Sequence, residues 1–156
     1  MTSPLRRLLA VIATGAFLTL SGCAAGADGG AGPSSDVFTL SVGDCLGEAE
    51  LGSELESVTV LPCDEPHKSE IYASVTLADT EFPGLEAITA EADVRCLEGF
   101  ETFTGGPWAD SAYDFTYLHP TEGSWARGDR EILCQIYDPA GPTTGSLEGA
   151  AASPSP

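Results

Sequence analysis

The sequence predicts an α+β fold: a small antiparallel sheet of about five strands, one amphipathic helix packed on one face, and two disulfides. Three observations predict it. Short apolar–polar alternations occur on both sides of residues 85–103, the period of strands with one buried face. Residues 85–103 instead repeat apolar side chains at steps of three and four, the period of one helical stripe. Four cysteines follow an export-type leader, and an even number outside the cytoplasm suggests disulfides.

The leader comes first. Arg6 and Arg7 precede an apolar run from Leu8 to Leu20, and Leu20-Ser21-Gly22-Cys23 closes it. A basic head, a short apolar run and small residues are the layout of an export signal. The run is shorter than the roughly 20 apolar residues that span a bilayer, and it lacks the amphipathic pattern of a surface helix. Its last four residues resemble the lipobox of bacterial lipoproteins. That resemblance implies that residues 1–22 are removed and that Cys23 carries a diacylglycerol with acyl chains of the palmitate kind. Two acyl chains hold a protein stably on a membrane where one does not. The expected location is the cell membrane, on its extracytoplasmic face. The rival reading is ordinary secretion, with Cys23 an unpaired thiol.

Composition narrows the partners. The formal charge of the whole chain is −18, and two of its six basic residues lie in the leader. That balance argues against nucleic acid as a partner, where a basic footprint is expected. The acidity suits a solvated surface that stays soluble, with a cation-attracting face as the sharper alternative. Residues 23–36, small, Gly-rich and polar, read as a flexible tether.

The domain is expected over 37–138. Phe38, Leu40 and Val42 alternate as one strand, and Gly43-Asp44-Cys45 turns the chain. Val58 and Val60 mark a second strand, followed by Pro62-Cys63. Each cysteine stands three residues beyond the last alternating apolar residue, so of three possible pairings Cys45–Cys63 is the favoured local bridge. A polar turn, 64–70, leads to a third strand with Ile71, Ala73, Val75 and Leu77 on one face. Leu85, Ile88, Ala92, Cys96, Phe100 and Phe103 form the helical stripe. Phe115 and Tyr117 suggest a strand over 114–118, and a loop over 121–129 holds Trp125. The last strand, 131–137, puts Ile132, Cys134 and Ile136 on one face. A helix laid on a sheet brings Cys96 to Cys134, closing a loop worth roughly 3–4 kcal/mol in chain entropy. Residues 139–156, poor in apolar side chains, read as a mostly disordered tail.

Candidate chemistry centres on His67 and Glu70, three apart after Cys63, with Asp44 able to join them across the bridge. A histidine and carboxylates can act as a general acid–base pair or as metal ligands. The bland reading is that His67 bonds within its turn and Glu70 pairs with a base such as Arg130. No nucleophile-elbow serine occurs, all five cysteines are committed, and the absence of CxxC gives a zinc ribbon no support. Trp125 with Arg127 and Arg130 is either an interaction hot spot or a loop pinned by one large side chain. The reading calls for no catalytic residue, no metal and no cofactor.

Together the blocks Phe38-x-Leu-x-x-Gly43-Asp44-Cys45, Val60-x-Pro62-Cys63-x-x-Pro66-His67-x-x-Glu70, the helix with Cys96, Trp125-x-x-Gly128-Asp129-Arg130-x-x-x-Cys134 and Thr144-Gly145-Ser146-Leu147 resemble the septum formation domain of actinobacterial membrane-attached and secreted proteins. The resemblance covers about residues 38–147. It implies a role in cell division or envelope assembly at the septum and supplies no catalytic residues to carry over. The expected function is a lipid-anchored binding or scaffold protein, not an enzyme. Its expected partners are the membrane, through Cys23, and envelope or divisome proteins or cell-wall components. The alternatives are a metal-binding or hydrolytic envelope enzyme using His67, Glu70 and Asp44, and a sensory or solute-binding lipoprotein.

Overall fold

A computed structural model of the chain describes residues 34–48, 57–78 and 81–152. The residues read as leader, Cys23, read as the lipid-bearing residue, and most of the stretch read as tether lie outside the described residues. The strands are β1 (Ser34–Asp36), β2 (Cys45–Leu46), β3 (Ser57–Leu61), β4 (Ser69–Thr76), β5 (Asp114–Leu118) and β6 (Glu131–Tyr137). The helices are α1 (Leu85–Thr104) and the short α2 (Glu122–Trp125). All strand pairings are antiparallel, in the order β1-β3-β2-β4-β6-β5. α1 lies across β4, β6 and β5. Among the described residues no helix is long and apolar enough to cross a membrane.

The α+β architecture is the expected one, with six strands in place of about five, and both bridges form as expected: Cys45–Cys63 and Cys96–Cys134. The stripe on α1 buries Ile88, Ala92, Cys96 and Phe100 against Ile132, Cys134 and Ile136. Leu85, read as its first member, is exposed. Gly105 ends α1 in the left-handed conformation, φ 80°, with its N–H donating to the carbonyl of Glu101, a cap that glycine adopts without a Cβ penalty. Trp125 sits not in an open loop but on α2, whose start is fixed by reciprocal bonds between Thr121 and Ser124.

The third strand does not keep its apolar residues on one face. Ile71 stands opposite Gln135 and Ala73 opposite Cys134, so two steps on β4 match one on β6. This is a β-bulge with Tyr72 as the extra residue. Directly opposed residues share a face. Ala73 and Val75 therefore join the helix side, while Ile71 joins Leu40, Leu46, Val58 and Leu133 in a second cluster behind the sheet. The same shift puts Glu70 opposite both Ile136 and Cys45, on the side of α1.

Two further expectations are corrected. Residues 37–42 are not a strand. The Asp36 carboxylate accepts from the Phe38 N–H at 3.0 Å and opens a 3-10 turn, Val37–Thr39, a local bond that competes with the ladder. Leu40 is buried, but Phe38 is 56% and Val42 55% exposed. The pairing to β3 is made instead by β1, so Ser34–Asp36, inside the stretch read as tether, belongs to the sheet. The tail is also ordered over residues 139–151. Its composition hid this because one apolar anchor, Leu147, enters the core and the remaining ties are hydrogen bonds to distant residues.

Candidate functional site

The polar turn between β3 and β4 and the segment after β6 meet at one end of the sheet. His67 and Thr143 exchange backbone bonds in both directions, each N–H donating to the other's carbonyl at 2.9 Å. The Gly145 N–H donates to the Cys63 carbonyl at 2.6 Å, and the Gly149 N–H to the Phe103 carbonyl at 2.8 Å. Residues 143–149 are thus a strap running from the turn to the end of α1. Gly106 lets it finish: a Cβ there would stand 2.7 Å from that of Ala151, closer than side chains tolerate.

His67 and Glu70 hold this strap from beneath, 1% and 2% exposed. Nδ1 of His67 lies 2.9 Å from the Glu65 carbonyl, which can only accept, so Nδ1 carries the proton. In the neutral ring Nε2 then accepts from the Thr143 hydroxyl at 3.2 Å. One carboxylate oxygen of Glu70 accepts from the Ser146 hydroxyl at 2.7 Å, the other from the Leu147 N–H at 2.8 Å. A buried carboxylate needs such donors, and hydrogen bonds to a charged group are the strong ones. His67 does bond within its turn, as read from the sequence. Glu70 does not pair with Arg130; the strap supplies its partners.

One atom each of Cys45, His67 and Glu70 lies within 4.8 Å of the others, a possible ligand set for a metal ion. The chemistry of the donors does not fit. The Cys45 sulfur is bonded to Cys63 and offers no thiolate, and the ring nitrogens and carboxylate oxygens already serve the turn and the strap. Asp44 stays outside this group. Its carboxylate accepts from the Ser41 N–H at 2.8 Å and shapes the turn before β2.

Trp125 and Arg130 also serve the interior. The Trp125 ring is buried, with Phe82 edge-on at 5.7 Å and the Arg130 guanidinium 3.8 Å from its centroid. Arg130 donates to the carbonyls of Trp125 and Asp129. The indole N–H has no hydrogen-bond partner among the described residues. A buried ring cannot be an exposed hot spot, so of the two sequence readings the pinned loop is the one observed. Arg127 turns outward, over Phe38 at 5.9 Å.

A groove of about 580 Å³ lies between α1 and β5. Its walls include Asp93, Trp108, Asp114, Tyr117 and His119. The Tyr117 hydroxyl donates to Asp93 at 2.9 Å, and the Trp108 indole to Asp114 at 3.0 Å. Sequence reading missed this place. Asp93 looked like one more solvated helix position and Trp108 lay in an irregular stretch, and no spacing rule joins them.

The tyrosines around the core give a pH dependence. Burial pushes the phenol of Tyr72 well above its ordinary value. Burial, then the hydrogen bond and charge of Asp93, raise Tyr117 from 10.0 to about 12. Burial and Asp114 raise Tyr137. The folded chain holds these protons more tightly than the unfolded chain, so their contribution is complete below pH 10 and is lost as pH rises through each folded value, about 12 for Tyr117. Phenolate absorbance of the native chain is expected to lag that of the urea-unfolded chain over this window. Coincident curves contradict the assignment.

Compared with protein families, residues 34–155 match the family model described as Septum formation. Among curated proteins and among solved structures nothing matches.

Proposed function

The chain belongs to the septum formation family, and from that premise we propose that it is a lipid-anchored, extracytoplasmic binding or scaffold domain, not an enzyme. Family membership supports a role in septum formation or cell division. The finer reading is that the domain presents a surface to envelope or divisome proteins or to wall components. One observation carries it: the groups best suited to chemistry, His67 and Glu70, are consumed in fastening the strap. The two disulfides favour an oxidising compartment. The leader and Cys23 favour a membrane anchor, and the Gly-rich stretch after Cys23 would let the domain stand off the bilayer.

The test is site-specific photo-crosslinking in living cells, with the reactive residue placed in turn at exposed positions such as Phe38 and Trp108. The expected result is a discrete set of partners that includes division or wall-assembly proteins, together with enrichment of the protein at septa. No partner at any position and an even distribution around the cell would contradict the proposal. So would a wall-hydrolysing activity lost in His67→Ala at unchanged thermal stability.

A further inference from the structure

We propose that the groove between α1 and β5 receives an extended, basic segment of a partner protein, which adds as a strand to the outer edge of β5. This rests on the binding-domain reading and names the surface and the chemistry of what it takes.

The sheet ends at β5. Its one neighbour is β6, and among the described residues nothing pairs with its other side. An edge of this kind carries unpaired N–H and C=O groups that template another strand. Many proteins guard such edges with lysine, proline or a bulge. Asp114-Phe115-Thr116-Tyr117-Leu118 has neither residue, and its pairing with β6 runs without a register shift. The Asp114 carboxylate takes the Phe115 N–H at 2.8 Å, so the edge open to a guest lies beyond Phe115, over residues 116–118. The groove runs beside this edge. Thr89, Asp93 and Leu97, four apart on α1, form one wall, with Phe115 and Tyr117 on the other. An added strand sends every second side chain to the same face, so alternate residues of the guest would enter between helix and sheet.

Charge chooses the guest. Asp93 and Asp114 line the groove, and among the described residues no lysine or arginine does. The one basic residue of α1, Arg95, is paired with Glu91 and Glu98. Trp108, 42% exposed, offers an indole that stands edge-on to Phe115 at 5.9 Å. Carboxylates beside aromatic faces suit lysine and arginine side chains. A second copy of the chain is a poor guest. Two copies would bring together two chains that each carry a formal charge of −18.

The experiment uses the full lipoprotein in detergent micelles. A random decapeptide display library is selected against it, with Asp93→Lys protein as the counter-selection. The expected winners carry lysine or arginine at alternate positions. Hydrogen exchange should show the outward amides of β5 beyond Phe115 gaining protection from the bound peptide, since the Phe115 N–H is already held by Asp114. Asp93→Asn keeps an acceptor for the Tyr117 hydroxyl, so it should leave thermal stability unchanged and weaken binding about fivefold, the scale of one part-exposed charge pair. Loss of the Trp108 ring in Trp108→Ala should weaken it about threefold. The proposal is overturned if no peptide is enriched, if winners lack basic residues, if Asp93→Asn binds as tightly as the parent, or if β5 gains no protection. Live-cell crosslinks formed at Phe38 but never at Trp108 would overturn the groove and leave the binding-domain reading standing. Crosslinks at no exposed position, with the protein spread evenly around the cell, would remove both.

Discussion

Replacing Glu70 with alanine should cost about 3 kcal/mol or more and release the strap from the domain. The change removes two hydrogen bonds to a charged acceptor, each worth about 1.5–3 kcal/mol. It also leaves the Leu147 N–H buried without a partner, a further penalty of desolvation. Leu147 itself packs with the helix-side core, so loosening its backbone loosens an anchor as well as a bond. Glu70→Gln keeps an acceptor for one of the two donors and should fall between. Denaturant unfolding gives the magnitude. Amide exchange at Leu147 and Gly149 reads the strap directly, and both should exchange far faster in Glu70→Ala than the core amides of β6. Unchanged stability together with unchanged exchange would contradict the role assigned to Glu70.

Loss of the Cys96–Cys134 bridge should be larger still. The two residues are 38 apart, and closing a loop of that size removes about 4 kcal/mol of unfolded-state entropy, against about 3 kcal/mol for Cys45–Cys63, which spans 18. Both Cys96 and Cys134 are fully buried between α1 and β6, so alanine at both also opens space in the core. Against a total of about 5–15 kcal/mol for a domain, that is a large share. The double alanine variant should melt lower by about 15 °C or more, and the Cys45/Cys63 double variant by less. The reverse order would mean that the core tolerates loss of its cross-link better than the turn does.

Parts of the molecule whose determinants are local were legible in the sequence. The stripe of α1 and the alternation of Ile132, Cys134 and Ile136 are set by period alone, and those periods located both ends of the second disulfide. The bulge at Tyr72 was not legible. Ile71, Ala73 and Val75 alternate perfectly in sequence, and only the extra residue against β6 sends Ile71 to the other face. Phe38 and Val42 misled for a related reason: backbone bonds to Asp36 and Asp44 outcompete pairing. His67 and Glu70 were visible as a pair, but their partners lie 76 residues away in a segment whose composition predicts disorder. The pair therefore looked like a possible site when it is the fastening of the C-terminal strap. The groove beside β5 is assembled wholly by tertiary packing, and nothing in its residues taken singly marks it.

The proposed location, outside the cell with an anchor at Cys23 and the other cysteines paired, underlies the whole functional reading. Mass spectrometry of the protein extracted from native membranes, alkylated without reduction and then digested, tests all of it at once. The predicted result is an N-terminal peptide beginning at Cys23 and carrying a diacylglycerol, with Cys45, Cys63, Cys96 and Cys134 unalkylated. A chain that begins at Met1, or that takes up alkyl groups on those four cysteines, would contradict the account.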